Sequence, residues 1–290
     1  MKKLATATAT IALIGTSAFA ADMAVKAPPP APAPIPYSWT GFYGGIQFGG
    51  GWSDESVGYS GNDPISATLL SGTFGFTGEE PVAGLRIRQD GAVGGIEAGY
   101  NWQAGSNWLL GVEADFSLAG MNGRATGSSV LIAPTETLPI TAEQSTDWYG
   151  TVRGRFGWLA TPNFLLFGTG GFAYGRVAGN ANLAFNIPGP PGFIMFAPPG
   201  AFSIICMVNV PCFTGSAAET RSGWTAGGGV EYLLDQHWSA KIEYQFVDLG
   251  TETVRLTAAG ATPTTSPSSF NVAFHDRFNV VRLGLNYRFW

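Results

Sequence analysis

The chain has 290 residues and a formal net charge of −5; 45% of its residues are hydrophobic, 13% aromatic and only 12% charged. An ordinary cytosolic domain carries more surface charge, and a nucleic-acid-binding protein usually presents a basic face, so this composition argues against both classes. No stretch after the N-terminal segment reaches the roughly 18 to 20 continuous apolar residues of a membrane helix. If the protein is embedded in a membrane, it has to cross as strands.

The N-terminus has the features of an export signal. Two lysines precede a short apolar stretch, and residues 18–20, Ala-Phe-Ala, fit the small-x-small rule for cleavage. A transmembrane anchor fits less well, because the apolar stretch is short and contains several threonines. We expect residues 1–20 to be a cleaved signal peptide, residues 21–39 to be an extended Pro/Ala-rich periplasmic segment, and residues 40–290 to form a barrel.

Apolar and polar residues alternate in eight segments of the remaining chain, as in strands with one apolar and one polar face. In the seventh segment Trp238, Ile242 and Phe246 alternate with polar residues, whereas the fifth lacks a clear phase because Phe164 to Phe167 are all apolar. The eight predicted strands span residues 40–53, 89–102, 107–120, 146–159, 163–177, 220–233, 237–250 and 276–290.

The joints between these strands alternate in length. Three are tight turns flanked by aromatic residues, and the other four are long, spanning residues 54–88, 121–145, 178–219 and 251–275. Outer-membrane barrels have short periplasmic turns, long outer loops and aromatic girdles. The sequence therefore predicts an all-β, eight-stranded antiparallel up-and-down transmembrane barrel with both chain ends in the periplasm. A lipocalin-like barrel, with its bulky apolar residues inside, is the alternative.

Three motifs carry a resemblance to a known family: W-T-G-F-Y-G-G at Trp39–Gly45 after the Ala/Pro tract, a W-x-G-x-V-x-G-R-x-G-W-like stretch at Trp148–Trp158, and the terminal G-L-N-Y-R-F-W. Together they resemble the alphaproteobacterial outer-membrane immunogenic protein family of small porin-like barrels, which is distantly similar to the OmpA membrane domain. The resemblance implies the outer membrane of a Gram-negative bacterium, with membrane lipid and lipopolysaccharide around the barrel.

The resemblance also implies that the last strand is read by the barrel-assembly machinery. The family pattern, polar-x-Gly-x-x-aromatic-x-aromatic, is matched by Arg282, Gly284, Tyr287 and Phe289, and this chain adds Trp290 beyond it. Members of the family are described as surface antigens, envelope-stabilising proteins, porins or hemin binders. The resemblance therefore predicts one location, the outer membrane, but leaves several activities open.

Ten charged residues share the inward phase of the predicted strands, and five are acidic and five basic. The interior of an eight-stranded barrel is just wide enough for side chains to fill, and a charge buried there has to be paired. We therefore expect a salt-bridged lumen that closes the pore, with a narrow polar channel as the alternative. The ten residues are Glu97, Glu113, Asp115, Arg153, Arg155, Glu231, Lys241, Glu243, Arg282 and Arg288.

The third long loop, within residues 180–218, contains no charged residue and is rich in Pro, Gly and apolar residues. An exposed apolar segment of this size predicts contact with a surface ligand or lipid; a loop folded onto the barrel mouth is the alternative. Cys206 and Cys212 predict a local disulfide in an exported chain. The only histidines, His237 and His275, are far from them in sequence, so no structural metal site is expected.

Two further chemistries rest on fewer residues. His275 and Asp276 with Ser268 or Ser269 could form a hydrolytic site at the rim, but adjacent strand residues point to opposite faces. His275 or Tyr59 could ligate hemin. We therefore expect a non-enzymatic barrel without a cofactor, with a structural and surface-interaction role; a small-solute porin is the first alternative and hemin binding the second.

Overall fold

The computed structural model describes residues 38–64, 66–67, 85–130, 137–184, 186, 193–196, 204–207, 210–259 and 269–289. The predicted signal peptide, most of the Pro/Ala-rich segment, Ser268 and Trp290 lie outside the described residues. None of the helices in these ranges is long and apolar enough to cross a membrane.

The described part of the chain contains eleven strands, most of them far longer than an average strand. They are β1 (Gly41–Ser56), β2 (Gly58–Gly61), β3 (Arg86–Ala104), β4 (Trp108–Val130), β5 (Thr137–Thr161), β6 (Phe164–Ala184), β7 (Phe193–Phe196), β8 (Ile204–Met207), β9 (Pro211–Leu233), β10 (Trp238–Ala258) and β11 (Ser269–Arg288).

Eight of these strands form a closed antiparallel ring in the order β1, β3, β4, β5, β6, β9, β10 and β11. The ring closes because β1 also pairs with β11, with Ile46 opposite Leu285. Closure gives every wall strand a partner on both sides, so that no strand stands at an edge of the sheet. β2 pairs with β11 as a ninth strand, and β7 pairs with β8 in a separate two-stranded sheet. The predicted eight-stranded barrel is confirmed.

The short turns all lie at one end of the ring, which we call the turn end; the opposite end is the loop end. The strands extend further toward the loop end than the sequence pattern predicts: β5 begins at Thr137, β9 at Pro211 and β11 at Ser269. The prediction that residues 121–145, 178–219 and 251–275 are loops was wrong over much of their length. Within these ranges, the residues that belong to β4, β5, β6, β9, β10 and β11 continue the wall beyond the outward apolar band.

The outward face is apolar near the turn end and polar near the loop end. Phe48, Ile96 and Leu118 are each more than 60% exposed, as expected for side chains that contact lipid. Toward the loop end this band gives way to outward Asp147 and Arg277. Aromatic residues border the band at the turn end, and they include Trp102, Trp108, Trp158, Tyr232, Trp238 and Tyr287.

The inward face is arranged in layers along the barrel axis. A turn-end cluster is apolar: Trp39, Leu109, Leu159, Leu165, Phe167 and Leu233. Charged residues follow, and above them lies a middle cluster: Val93, Ala119, Met121, Tyr149, Ala173, Val177, Val247, Leu249, Phe278 and Val280. Nearest the loop end is a loop-end core that includes Ile87, Ile140, Leu183, Phe213, Leu256, Phe270 and Phe274.

The loop-end part of the barrel is therefore polar outside and apolar inside, like a soluble barrel. On β11, Val272 and Phe274 are fully buried while Asn271 and His275 face outward. The alternation persists along the strand, but lipid contact is replaced by water contact. Because of this inversion, strands predicted from apolar outward faces in the sequence end before the observed strands do.

The fifth segment, β6, lacks a clear alternation because both of its faces are apolar near the turn end. Leu165 and Phe167 point into the turn-end cluster, whereas Leu166 and Phe172 face outward. Phe167 also covers a buried arginine, which is described below.

Candidate functional site in the barrel lumen

Nine of the ten predicted lumen charges come together in one layer between the turn-end and middle clusters. The period of two turns them inward on six of the eight ring strands, and their side chains are almost completely removed from solvent. They are Glu97 of β3, Glu113 and Asp115 of β4, Arg153 and Arg155 of β5, Glu231 of β9, Lys241 and Glu243 of β10, and Arg282 of β11.

Two guanidinium groups hold the centre of this charged layer. Arg153 contacts Glu113 through Nη2 and Glu243 through Nη1, and its Nη2 lies 3.1 Å from Asp115 Oδ2. Arg282 bridges the same two acidic strands, with Nη2 3.0 Å from Glu243 Oε2 and Nη1 3.3 Å from Asp115 Oδ1. Since each arginine bonds carboxylates from different strands, the pair ties opposite parts of the wall together.

Lys241 supplies the third cation of the layer. Its Nζ lies 2.5 Å from Glu97 Oε2, 3.3 Å from Glu113 Oε2 and 3.3 Å from Glu243 Oε2. Oxygens from these three glutamates lie within 4.8 Å of one another, a spacing that could hold a metal ion. The ammonium group already lies among these oxygens, so the residues fit a lysine-centred ion cluster better than a metal site.

Arg155 and Glu231 form the side of the layer nearest the turn end. Arg155 Nη2 contacts Glu231 Oε2, and its guanidinium carbon lies 4.0 Å from the centre of the Phe167 ring. Such a cation–π contact stabilises a cation that has lost its water. The Ser239 hydroxyl donates to Glu231 over 2.5 Å, and the Asn286 amide donates over 3.3 Å.

Arg288, the tenth predicted residue, lies elsewhere. Its guanidinium donates to the carbonyl of Ser38 and lies 5.4 Å from the centre of the Trp39 ring. The N-terminal residues that precede β1 bind Arg288 at the turn end, and the sequence pattern did not predict this contact.

Without Arg288, five carboxylates share four cations in the charged layer, and Glu97 Oε1 is a buried oxygen without a hydrogen-bond partner among the described residues.

The charged layer also contains several neutral residues, which the charge pattern alone did not identify. The Tyr43 hydroxyl donates to Glu113 Oε2 over 2.6 Å, and the Thr151 hydroxyl donates to Asp115. Gln245 donates to Thr225. These residues share the inward phase of the charged ones, so a search for all inward polar side chains would have found them.

The residues considered for hydrolysis or hemin binding do not converge. His275 faces outward and its Nδ1 lies 3.2 Å from the Ser56 carbonyl, while Asp276 is buried inside the barrel. Ser269 is buried and bonded by Arg255. Tyr59 packs against the loop-end core, where burial raises the pKa of its hydroxyl. The described residues thus do not assemble a catalytic set around His275 or a shared pocket for His275 and Tyr59.

A second group of inward carboxylates lies between the middle cluster and the loop-end core, outside the apolar band. Asp276 accepts a hydrogen bond from Gln144 Nε2 over 2.6 Å, and burial raises its pKa to about 6. Burial, reinforced by the charge of Asp276, raises the pKa of Glu252 to about 7. Near the same end Cys212 is buried and disulfide-bonded; the chain has one other cysteine, Cys206.

Comparison with known proteins places this architecture in a family. The chain is 33% identical over 285 residues to the 31 kDa outer-membrane immunogenic protein of Brucella melitensis, covering 96% of each chain. It is 26% identical over 252 residues to the 22 kDa outer membrane protein of Rhizobium leguminosarum, covering 87% of this chain and 79% of that one. The crystal structure of OprG from Pseudomonas aeruginosa overlaps 86% of this chain and 97% of its own with a TM-score of 0.42 and 12% identity.

The named relatives are proteins of the outer membrane, and their similarity extends over most of this chain. The family model described as an outer membrane protein beta-barrel domain matches residues 11–289, and the chain belongs to that family and to the outer membrane.

Proposed function

We propose that this outer-membrane barrel is a closed scaffold that anchors a rigid extracellular structure and does not conduct solutes. The observation that carries the proposal is the charged layer, in which the side chains of Arg153, Lys241 and Glu243 are 0% exposed within the membrane-spanning part of the ring. A channel requires a continuous water-filled path along the axis. Paired charges that exclude water are the opposite arrangement.

The apolar layers on either side of the charges support the same conclusion. Leu109 and Leu165 close the lumen on the turn side, and Met121 and Phe278 close it on the loop side. An ion that moved through the barrel would have to displace both layers in addition to the ion pairs. Close-packed buried side chains resist such displacement.

The extension of the wall beyond the apolar band supports a surface role. Its outward residues are polar, and its own apolar core includes Phe213 and Phe270, whose rings lie 4.8 Å apart. Because the wall strands continue through this second core beyond the apolar band, the strand ends that lead into the loops form a folded platform. We propose that the loops on this platform bind a surface ligand.

Planar-bilayer recording of the refolded, full-length barrel tests the closed lumen. We expect no steady conductance steps at potentials where a porin reconstituted in parallel conducts. Reproducible steps from the wild-type chain would refute the proposal and favour a small-solute pore. Protease treatment of intact cells tests the surface role, and we expect cleavage in the loops and not in the turns.

Lipopolysaccharide is the lipid partner that we propose for the outer leaflet. Outward arginine–carboxylate pairs lie just beyond the apolar band: Arg176 Nε is 3.3 Å from Asp147 Oδ2, and Arg277 Nε is 2.9 Å from Asp248 Oδ2. Arginine binds phosphate groups bidentately, and we propose that these arginines bind the phosphates of lipopolysaccharide. The barrel-assembly machinery is the partner that we propose for β11, through Arg282, Gly284, Tyr287 and Phe289 and with Trp290 at the terminus.

A further inference from the structure

The ladder between β9 and β10 is interrupted outside the apolar band. Asp248 pairs with Trp224, but the next pair is Thr257 with Thr214. Between them, residues 215–223 remain paired with β6, and most of β10 remains paired with β11. We call this interval the β9–β10 seam. It leaves main-chain carbonyl groups of both strands outside the ladder that joins them.

Glu252 lies on β10 within this seam, and its carboxylate is unsatisfied. The residue is 1% exposed, and both Oε1 and Oε2 are buried without a hydrogen-bond partner among the described residues. A buried carboxylate with no partner is costly. The structure thus contains an acidic group that needs a proton or a positively charged ligand.

Asp276 supplies a second carboxylate at the same level of the lumen. It is 3% exposed, its Oδ1 accepts from Gln144, and its Oδ2 has no hydrogen bond. Arg221 of β9 is the nearest cation, but its Nε lies 3.9 Å from Asp276 Oδ2, and its Nη1 lies 3.5 Å from Glu219 Oε2. Its Nε also donates to the Leu249 carbonyl over 3.4 Å.

The charges that face this space do not balance. Two buried carboxylates, from Glu252 and Asp276, face the one guanidinium of Arg221, and that guanidinium also lies 3.5 Å from Glu219, whose side chain is 62% exposed. The remaining neighbours do not change the count, because Asp248 is paired with Arg277 and His275 points outward. Buried carboxylates that outnumber their cations, next to main-chain carbonyl oxygens, are an environment that hard divalent cations prefer.

We propose that the β9–β10 seam binds one divalent cation, with Glu252 and Asp276 as its carboxylate ligands. In the proposed site, carbonyl groups of the interrupted ladder supply the neutral oxygens, and Gln144 orients Asp276 by donating to its Oδ1. The all-oxygen donor set fits Ca²⁺ or Mg²⁺ better than zinc. The cation would tie β10 to β11 and compensate the charge where pairing with β9 is lost.

Equilibrium dialysis with radioactive Ca²⁺ tests the site directly. The full chain is refolded in detergent without lipopolysaccharide, because that lipid binds divalent ions itself. We expect saturable binding of about one ion per chain, and a loss of affinity of at least about tenfold in Glu252→Gln and in Asp276→Asn, because ligand charge sets the affinity of such sites. Glu143→Gln removes an exposed carboxylate of β5 and should bind like the wild type.

Thermal unfolding provides a second readout. Ca²⁺ should raise the melting temperature of the wild type and of Glu143→Gln but not that of Glu252→Gln, since binding to the folded state stabilises it. Folding of each variant is checked by its heat-modifiable mobility in SDS gels. If the wild type shows no saturable binding at millimolar Ca²⁺, or if both seam variants bind as tightly as the wild type, the proposal is wrong and the two carboxyl groups are simply protonated.

Discussion

Loss of the Arg153 guanidinium should strongly destabilise the barrel. Its guanidinium contacts Glu113, Glu243 and Asp115 from two other strands, and none of these side chains is exposed. In Arg153→Met the three carboxylates lose their shared cation inside the protein. We expect the free energy of unfolding to fall by about 3 to 5 kcal/mol, measured by urea unfolding of the barrel in lipid vesicles.

An exposed ion pair on the next strand provides the matched control. Arg124 lies 3.2 Å from Glu143, but its side chain is 67% exposed. Arg124→Met should therefore change stability by less than about 1 kcal/mol. Equal losses in the two variants would show that burial of the charged layer contributes nothing to its strength.

At the scale of the element, closure of the ring depends on inward glycines of β1. A Cβ atom at Gly49 would lie 2.0 Å from the Val281 carbonyl oxygen and 2.7 Å from Arg282 Cα, both of them backbone atoms of β11. In Gly49→Ala the two closing strands have to separate, and we expect a loss of about 1 to 3 kcal/mol with slower refolding into vesicles.

Gly50 is the control on the same strand. It faces outward, and a Cβ atom there would meet only the Gly91 carbonyl at 3.8 Å. Gly50→Ala should be neutral to within about 0.5 kcal/mol. If Gly49→Ala leaves the free energy of unfolding unchanged, β1 and β11 can accommodate a Cβ atom at this position and the predicted clash is wrong.

The last strand carries a different prediction, which concerns assembly rather than stability. Leu285 of β11 and Phe289, directly after β11, both face outward, and Phe289 is the more exposed of the two at 60%. If the assembly machinery reads the terminal aromatic, Phe289→Ala should lower the amount of folded protein in the outer membrane severalfold, while Leu285→Ala should not. Refolding of the purified variants into vesicles should be alike. If Phe289→Ala and the wild type are equally abundant in the outer membrane, the assembly machinery does not recognise Phe289.

The strands could be predicted from the sequence wherever one face meets lipid. Ile96 and Glu97 show the rule, because the first is 64% and the second 4% exposed. The rule failed at β6, where Phe167 is apolar but covers Arg155, and at the loop ends of the strands. At the loop ends the outward face meets water and is polar, whereas the inward face is apolar, so the alternation has the opposite phase. A search for apolar outward faces therefore mistakes these strand ends for loops.

The composition of the charged layer could also be predicted, but not its pairings. The phase identifies which charges face inward, whereas the partner of each depends on the register around the whole ring. Lys241 and Glu97 are 144 residues apart and meet at 2.5 Å. Arg288 has the same phase as Arg282 but lies one layer nearer the turn end, where Trp39 contacts it from outside the strands.

At the scale of the whole molecule, closure of the lumen is distributed over several layers, and Trp39 tests this. Trp39 is 1% exposed at the turn end, and its Nε1 donates to the Pro162 carbonyl over 3.0 Å. Trp39→Ala should cost about 3 to 5 kcal/mol, the usual loss for a large buried aromatic. It should nevertheless remain closed in planar bilayers, because the charged layer and the middle cluster are untouched. Conductance steps in this variant but not in the wild type would show that one side chain at the turn end closes the barrel, and that the charged layer holds the wall together without sealing it.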